Sequence, residues 1–119
     1  MIIYLSGPIS ARLDTYKEHF QIVYDELTSF GNKVISPHFL PNGLEKYQDY
    51  MNIAHECLKA SHAIYLLQGW QDSEGAKTEL RWAMDMKKKI IMERSNIYYR
   101  RMEKIQEIEE EEENEHKDK

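Results

Sequence analysis

The stretch Gly69-Trp70-Gln71-Asp72-Ser73-Glu74-Gly75-Ala76-Lys77-Thr78-Glu79 concentrates carboxylates between one apolar run and one amphipathic run. Two of its acids, Asp72 and Glu79, stand at opposite ends of the same turn. Paired acids can divide the work of breaking a glycosidic bond, one attacking or stabilising the anomeric carbon while the other manages the leaving group's proton. At about 100° per residue, Glu79 lies roughly 75° from the centre of its helix's apolar stripe, on a flank with Trp82 and Met86. It is a boundary residue. Spacing alone leaves two alternatives, an ordinary surface-helix glutamate or a partly buried carboxylate facing a crevice. In the second case, backbone dipoles at the helix start favour the ionised form that a carboxylate nucleophile requires.

Other candidates lie nearby in the chain. Gly7-Pro8 directly follows an apolar run, so backbone can approach a ligand closely there, with the Ser6 hydroxyl and the following amides to hold a sugar or phosphate. A plain structural turn accounts for it equally well. The chain has neither GxGxxG nor GxxxxGK[ST], so the dinucleotide fingerprint and the Walker phosphate loop are both missing. His38, in Ser36-Pro37-His38-Phe39, is placed to reach a base or phosphate at a crevice edge, and Arg12 to meet a phosphate or simply solvent. Trp70 is suited either to stacking on a planar ring or to ordinary packing. His19, His55 and His62 lack ligand spacing to one another and are expected to be exposed or capping, so no metal site is expected. The single cysteine, Cys57, cannot form an internal disulfide and reads as a small core residue.

The elements that must position these groups are regular. Apolar runs at Ile2 to Leu5, Lys33 to Ser36, Ala63 to Leu67 and Lys89 to Met92 read as buried strands. Tyr16, Phe20, Val23, Leu27 and Phe30 recur at helical steps between Asp14 and Gly31, which mark the two ends. From about Tyr47 to Ala60, a second helix aligns Tyr50, Ala54, Cys57 and Ser61, with Met51 and Leu58 widening the stripe. A third begins near Asp72 or Ser73 and aligns Ala76, Leu80, Ala83 and Lys87, the lysine stem extending past the core. Strands alternating with helices, each strand continuously apolar, predict an α/β fold: a three-layer, doubly wound, Rossmann-like or flavodoxin-like sandwich around a small parallel sheet. Right-handed crossovers favour the order 2-1-3-4. Ligands of such sheets sit at the carboxyl ends of strands 1 and 3, and the loops from Ser6 to Leu13 and from Gln68 to Gly75 both feed that crevice.

The charge is uneven. Residues 103–119 carry nine acids against three lysines, a net of −6 within the chain's −5, so the remainder is about +1. A near-neutral body with an acidic tail argues against a binder of nucleic-acid polymers, which needs a net basic face, while leaving nucleotides open. Residues 1–94 are expected to form the domain, and residues 95–119 a helical extension ending in an acidic, partly disordered tail. Nowhere do 18 apolar residues run together, and no basic segment precedes a long apolar one; a cytosolic protein away from membranes is expected.

Ile3-Tyr4-Leu5-Ser6-Gly7-Pro8-Ile9, the strand Ala63 to Leu67 followed by Asp72-Ser73, and Glu79-Leu80 ahead of Ala83 together resemble the nucleoside 2-deoxyribosyltransferase superfamily, above all its short, phage-associated branch. The resemblance spans residues 1 to about 92. It implies that Glu79 is the nucleophile taking the sugar, that Asp72 assists the base, and that Tyr4, Ser6, Gly7 and Pro8 line the sugar site. Ile9, Arg12, His38, Gly69, Trp70, Ser73 and Gly75 complete the candidate substrate-binding set. It also implies a small-molecule nucleoside or nucleotide substrate, no metal or organic cofactor, and a homo-oligomer, dimer or tetramer, whose neighbouring subunit completes the pocket. Three departures stand out: Ser73 and Glu79 are one step further apart than is usual in the family, Glu74 replaces a glycine whose turn Gly75 can take over, and Arg81 replaces a small residue. The expected activity is cleavage or transfer at an N-glycosidic bond. The alternatives are a nucleotide-binding module without turnover and a scaffold whose acidic tail meets a basic partner.

Overall fold

The computed structural model describes residues 1–9, 12, 14–41 and 46–94. The helix and tail expected over residues 95–119 lie outside the described residues. The apolar runs become four parallel strands, β1 (Ile2–Ser6), β2 (Lys33–Ile35), β3 (Ala63–Leu66) and β4 (Lys89–Met92), joined by helices α1 (Tyr16–Ser29), α2 (Tyr47–Lys59) and α3 (Glu74–Asp85). The sheet order is β2-β1-β3-β4, as the alternation predicts. The first crossover leaves β1 in one direction and the next two go the other way, so right-handedness puts α1 on one face and α2 and α3 on the other.

Alternation along β1 feeds both cores. Ile3 and Leu5 pack with Tyr16, Phe20, Val23 and Leu67 on the α1 side. Tyr4 packs with Ala54, Leu58, Ile64, Leu66 and Ala83 on the other. This two-sided burial is what a continuously apolar central strand requires, and fully burying a side chain such as Phe20 or Leu58 contributes about 1.5–3 kcal/mol. β4 is one of the two edge strands and leaves Ile90 and Met92 exposed. Among the described residues no helix is long and apolar enough to cross a membrane.

The helices differ from expectation in detail. Asp14 does not cap α1; Thr15 occupies that position without a side-chain hydrogen bond, and Asp14 is exposed. In α2 the buried residues are Met51, Ala54 and Leu58, while Tyr50 and Cys57 are half-buried. Ser73 does cap α3, its Oγ accepting from the Ala76 amide at 3.1 Å. Lys87 falls beyond the end of α3, exposed and at φ 59°, so its stem does not extend the stripe. The stripe of α3 is Ala76, Glu79 and Ala83, which moves Glu79 from the boundary into the buried face.

Candidate active site

The two loops of the crevice meet where β1 and β3 end. The Leu67 amide donates to the Ser6 carbonyl at 2.8 Å, and a Cβ on Gly7 would lie 2.9 Å from that of Leu67, so only glycine permits this approach. Gly69 opens the second loop at φ 90°, in the left-handed region that favours glycine. A Cβ there would also lie 2.6 Å from Arg12 Nη2 and 3.2 Å from Pro8 Cγ. Arg12 therefore reaches across from the first loop and lies against the second.

Glu79 comes to this seam from the second turn of α3. Only 7% of it is exposed. Tyr4 and Ser6, two residues apart on β1, present their side chains to the same face of the sheet, and the Ser6 hydroxyl donates to Glu79 Oε1 at 3.3 Å. Oε2 is buried with no hydrogen-bond partner among the described residues. Burial raises the carboxyl's pKa from the ordinary 4.5 to about 7, against the opposing pull of the neighbouring Tyr4 and Ser6 hydroxyls. Desolvation thus outweighs the stabilisation of the ionised form that the helix start was expected to supply. The same carboxyl acts on its surroundings. Burial and then Glu79 push the Tyr4 phenol well above its usual range, and both also raise the Cys57 thiol and the Tyr47 phenol.

Residues 1–92 match the family described as Domain of unknown function (DUF4406). The chain belongs to that family. The DUF4406 domain therefore contains the whole cluster around Glu79. Its fold is similar to that of Clostridium botulinum CMP N-glycosidase BcmB, at 21% sequence identity over 77% of this chain and 70% of that one, with a TM-score of 0.58. Comparison with curated proteins returns no match.

Within the DUF4406 domain the candidate residues separate into groups. Tyr4, Ser6 and Glu79 come together, and Gly7, Pro8, Arg12 and Gly69 form the adjoining seam. Ser73 and Gly75 lie at the start of α3, the Ser73 hydroxyl occupied by its capping bond. Trp70 is half-buried against the core shared with α2 and α3, as a packing residue. Asp72 is exposed in the short 3-10 turn Trp70–Asp72, and no hydrogen bond joins it to Glu79. Ile9 and His38 belong to the other face: Ile9 packs on the α1 core, and His38 is buried beside Phe20, Tyr24 and Phe39. The His38 ring donates from Nε2 to Gln21 Oε1 at 2.9 Å and accepts the Ser36 hydroxyl at Nδ1. Burial holds its pKa below the ordinary value. Both ring nitrogens are thus engaged by protein. Arg81 is exposed.

Sequence reasoning missed two features. His19, expected to be exposed or capping, is 3% exposed and hydrogen-bonds Glu93 Oε1 at 3.0 Å, while the Gln68 amide donates to the same oxygen at 3.0 Å. No spacing rule links residues 74 positions apart. The other is Tyr47 at the start of α2, whose hydroxyl lies over the first turn of α3. The topology itself was the available signal, since helices that follow parallel strands begin at the ligand-binding edge of the sheet. No group of three or more His, Cys, Asp or Glu able to hold a metal is found among the described residues.

Proposed function

We propose that this domain acts on the N-glycosidic bond of a nucleoside, deoxynucleoside or nucleoside monophosphate, with Glu79 as nucleophile. The observation that carries the proposal is the Glu79 carboxyl itself: buried, fixed at one oxygen by Ser6, and without a partner at the other. A buried polar atom left unpaired costs about 1–3 kcal/mol, and a reacting carbon or a ligand donor at Oε2 would relieve that cost. The similarity in fold to a protein named as a CMP N-glycosidase supports the same class of chemistry. The kinship is with the short, phage-associated branch of the nucleoside 2-deoxyribosyltransferase superfamily.

In this mechanism Glu79 Oε2 forms a bond to the anomeric carbon as the carbon–nitrogen bond to the base breaks. The electron pair leaves on the base nitrogen, where a proton arrives, with Asp72 as the residue assigned to that transfer. Water or a second base then attacks the same carbon, releases the sugar and restores the carboxylate. Ser6 and Tyr4 orient Glu79 and favour its ionised form. Arg12, lying against Pro8 and Gly69, is the cation assigned to a phosphate. Following the family resemblance, the proposal includes a homo-oligomer, dimer or tetramer, in which a second copy completes the pocket.

The exposure of Asp72 and the lack of any bond from it to Glu79 favour a second reading, a nucleotide-binding module without turnover. A panel of nucleosides, deoxynucleosides and their monophosphates, read by base release or exchange, separates the two. Release by wild type and none by Glu79→Ala is the expected result. Tight binding without release, unchanged by that substitution, overturns catalysis in favour of the module.

A further inference from the structure

Gly75 is the second residue of α3, where glycine costs up to about 1 kcal/mol relative to alanine. Its backbone does not require glycine, because the only positive-φ glycines among the described residues are Gly31 and Gly69. Space does. A Cβ at 75 would lie 3.2 Å from the Tyr47 hydroxyl and 3.8 Å from both Met51 Sδ and Ser73 Oγ. The glycine thus lets a phenol from the first turn of α2 reach across to the first turn of α3. Tyr47 is otherwise 62% exposed, a large aromatic side chain left in solvent with its hydroxyl against Gly75.

From this placement we infer that Tyr47 is a specificity-determining residue, its hydroxyl donating a hydrogen bond to a sugar hydroxyl of the substrate. The surrounding charge selects that group. Glu79 follows one turn on from Gly75 in α3 and weighs against an anion there, while the nearer Glu74 is paired with Lys77 at 3.1 Å, so a neutral acceptor suits the position. The phosphate of a nucleotide would instead lie toward Arg12, across the seam by Pro8 and Gly69. A donor that a substrate hydroxyl satisfies also discriminates against analogues lacking that hydroxyl. The inference rests on the proposed glycosidic activity, and it adds which part of the substrate is read and by which residue.

The test compares wild type, Tyr47→Phe and Gly75→Ala on one nucleoside and on its 2′-deoxy and 3′-deoxy analogues. Tyr47→Phe should lower kcat/KM roughly three- to ten-fold for sugars bearing the recognised hydroxyl, chiefly through KM, and leave the analogue without it unchanged. Gly75→Ala should give the same selective loss with a thermal midpoint no lower than wild type, because alanine favours the helix. Equal losses on all three sugars, or no loss, overturn the inference. If wild type binds members of the panel without cleaving them, the catalytic proposal fails separately, and calorimetric affinities read the same selectivity. Binding of none overturns both.

Discussion

Glu93 and Glu79 are both buried near the carboxyl end of the sheet, on opposite faces, and their surroundings differ. Glu93, one residue past β4, accepts from His19 on α1 and from the Gln68 amide in the loop after β3, while its own amide donates to the Leu66 carbonyl at 2.9 Å. It ties a helix, a loop and a strand end together. Glu79 has one hydrogen bond, from Ser6, and a second oxygen with no partner among the described residues. Buried carboxylates are tolerated when their acceptor sites are filled. The contrast shows how one residue type serves as a structural tie where the fold supplies donors and keeps unused acceptor capacity where it withholds them.

The sharpest way to break the comparison is kinetic. On the proposed substrate class, Glu79→Gln should lower kcat/KM by roughly a thousand-fold or more, since an amide oxygen is a poor nucleophile, without unfolding the protein. Steady-state base release together with a thermal melt checks both halves. Stability should show the reverse order. Glu93→Ala removes the acceptor of one buried and one part-buried donor, the buried one left unsatisfied at about 1–3 kcal/mol, and should destabilise by roughly 3 kcal/mol in urea unfolding.

The next effect depends on pH. The folded-state pKa of Glu79, about 7, lies above its ordinary 4.5. Between those values the folded protein holds a proton that the unfolded chain has lost, so this contribution to stability is present at low pH and disappears as pH rises through about 7. Relative to wild type, Glu79→Gln should become more stable by roughly 3 kcal/mol from acid to mildly alkaline pH. Urea unfolding of both proteins at the two extremes measures it, and a constant difference would contradict it. Turnover should change in the opposite sense, increasing through neutrality as the nucleophile ionises. The smallest effect concerns Ser6. Ser6→Ala removes a hydrogen bond that favours the ionised carboxylate, so the kinetic pKa should move upward and kcat/KM at pH 7 fall roughly three-fold, with the high-pH plateau retained. A lowered plateau with an unmoved pKa would mean that Ser6 acts on the substrate and not on Glu79.

Much of this protein was legible as pattern. The four apolar runs and the helical periods between them gave the strands, the helices and the order β2-β1-β3-β4, because two-sided burial and crossover handedness leave few alternatives. The start of α3 near Asp72 or Ser73 followed from residue type, and the adjacency of Tyr4, Ser6 and Glu79 from the family resemblance. Angular bookkeeping failed at Glu79 and in α2, since which side of a helix is buried depends on what it packs against. It left His38 and Trp70 open between ligand and packing roles, and the fold packs both against other side chains.

What the sequence determined by itself is the set of local choices: where the chain extends, coils and turns, and which residues have the chemistry to react. Only tertiary structure decided the environments, because desolvation and donor supply at a carboxylate are set by residues distant in the chain. Glu79 meets Ser6 across 73 positions and Glu93 meets His19 across 74. Nothing in the local sequence around either glutamate says which one the fold will satisfy.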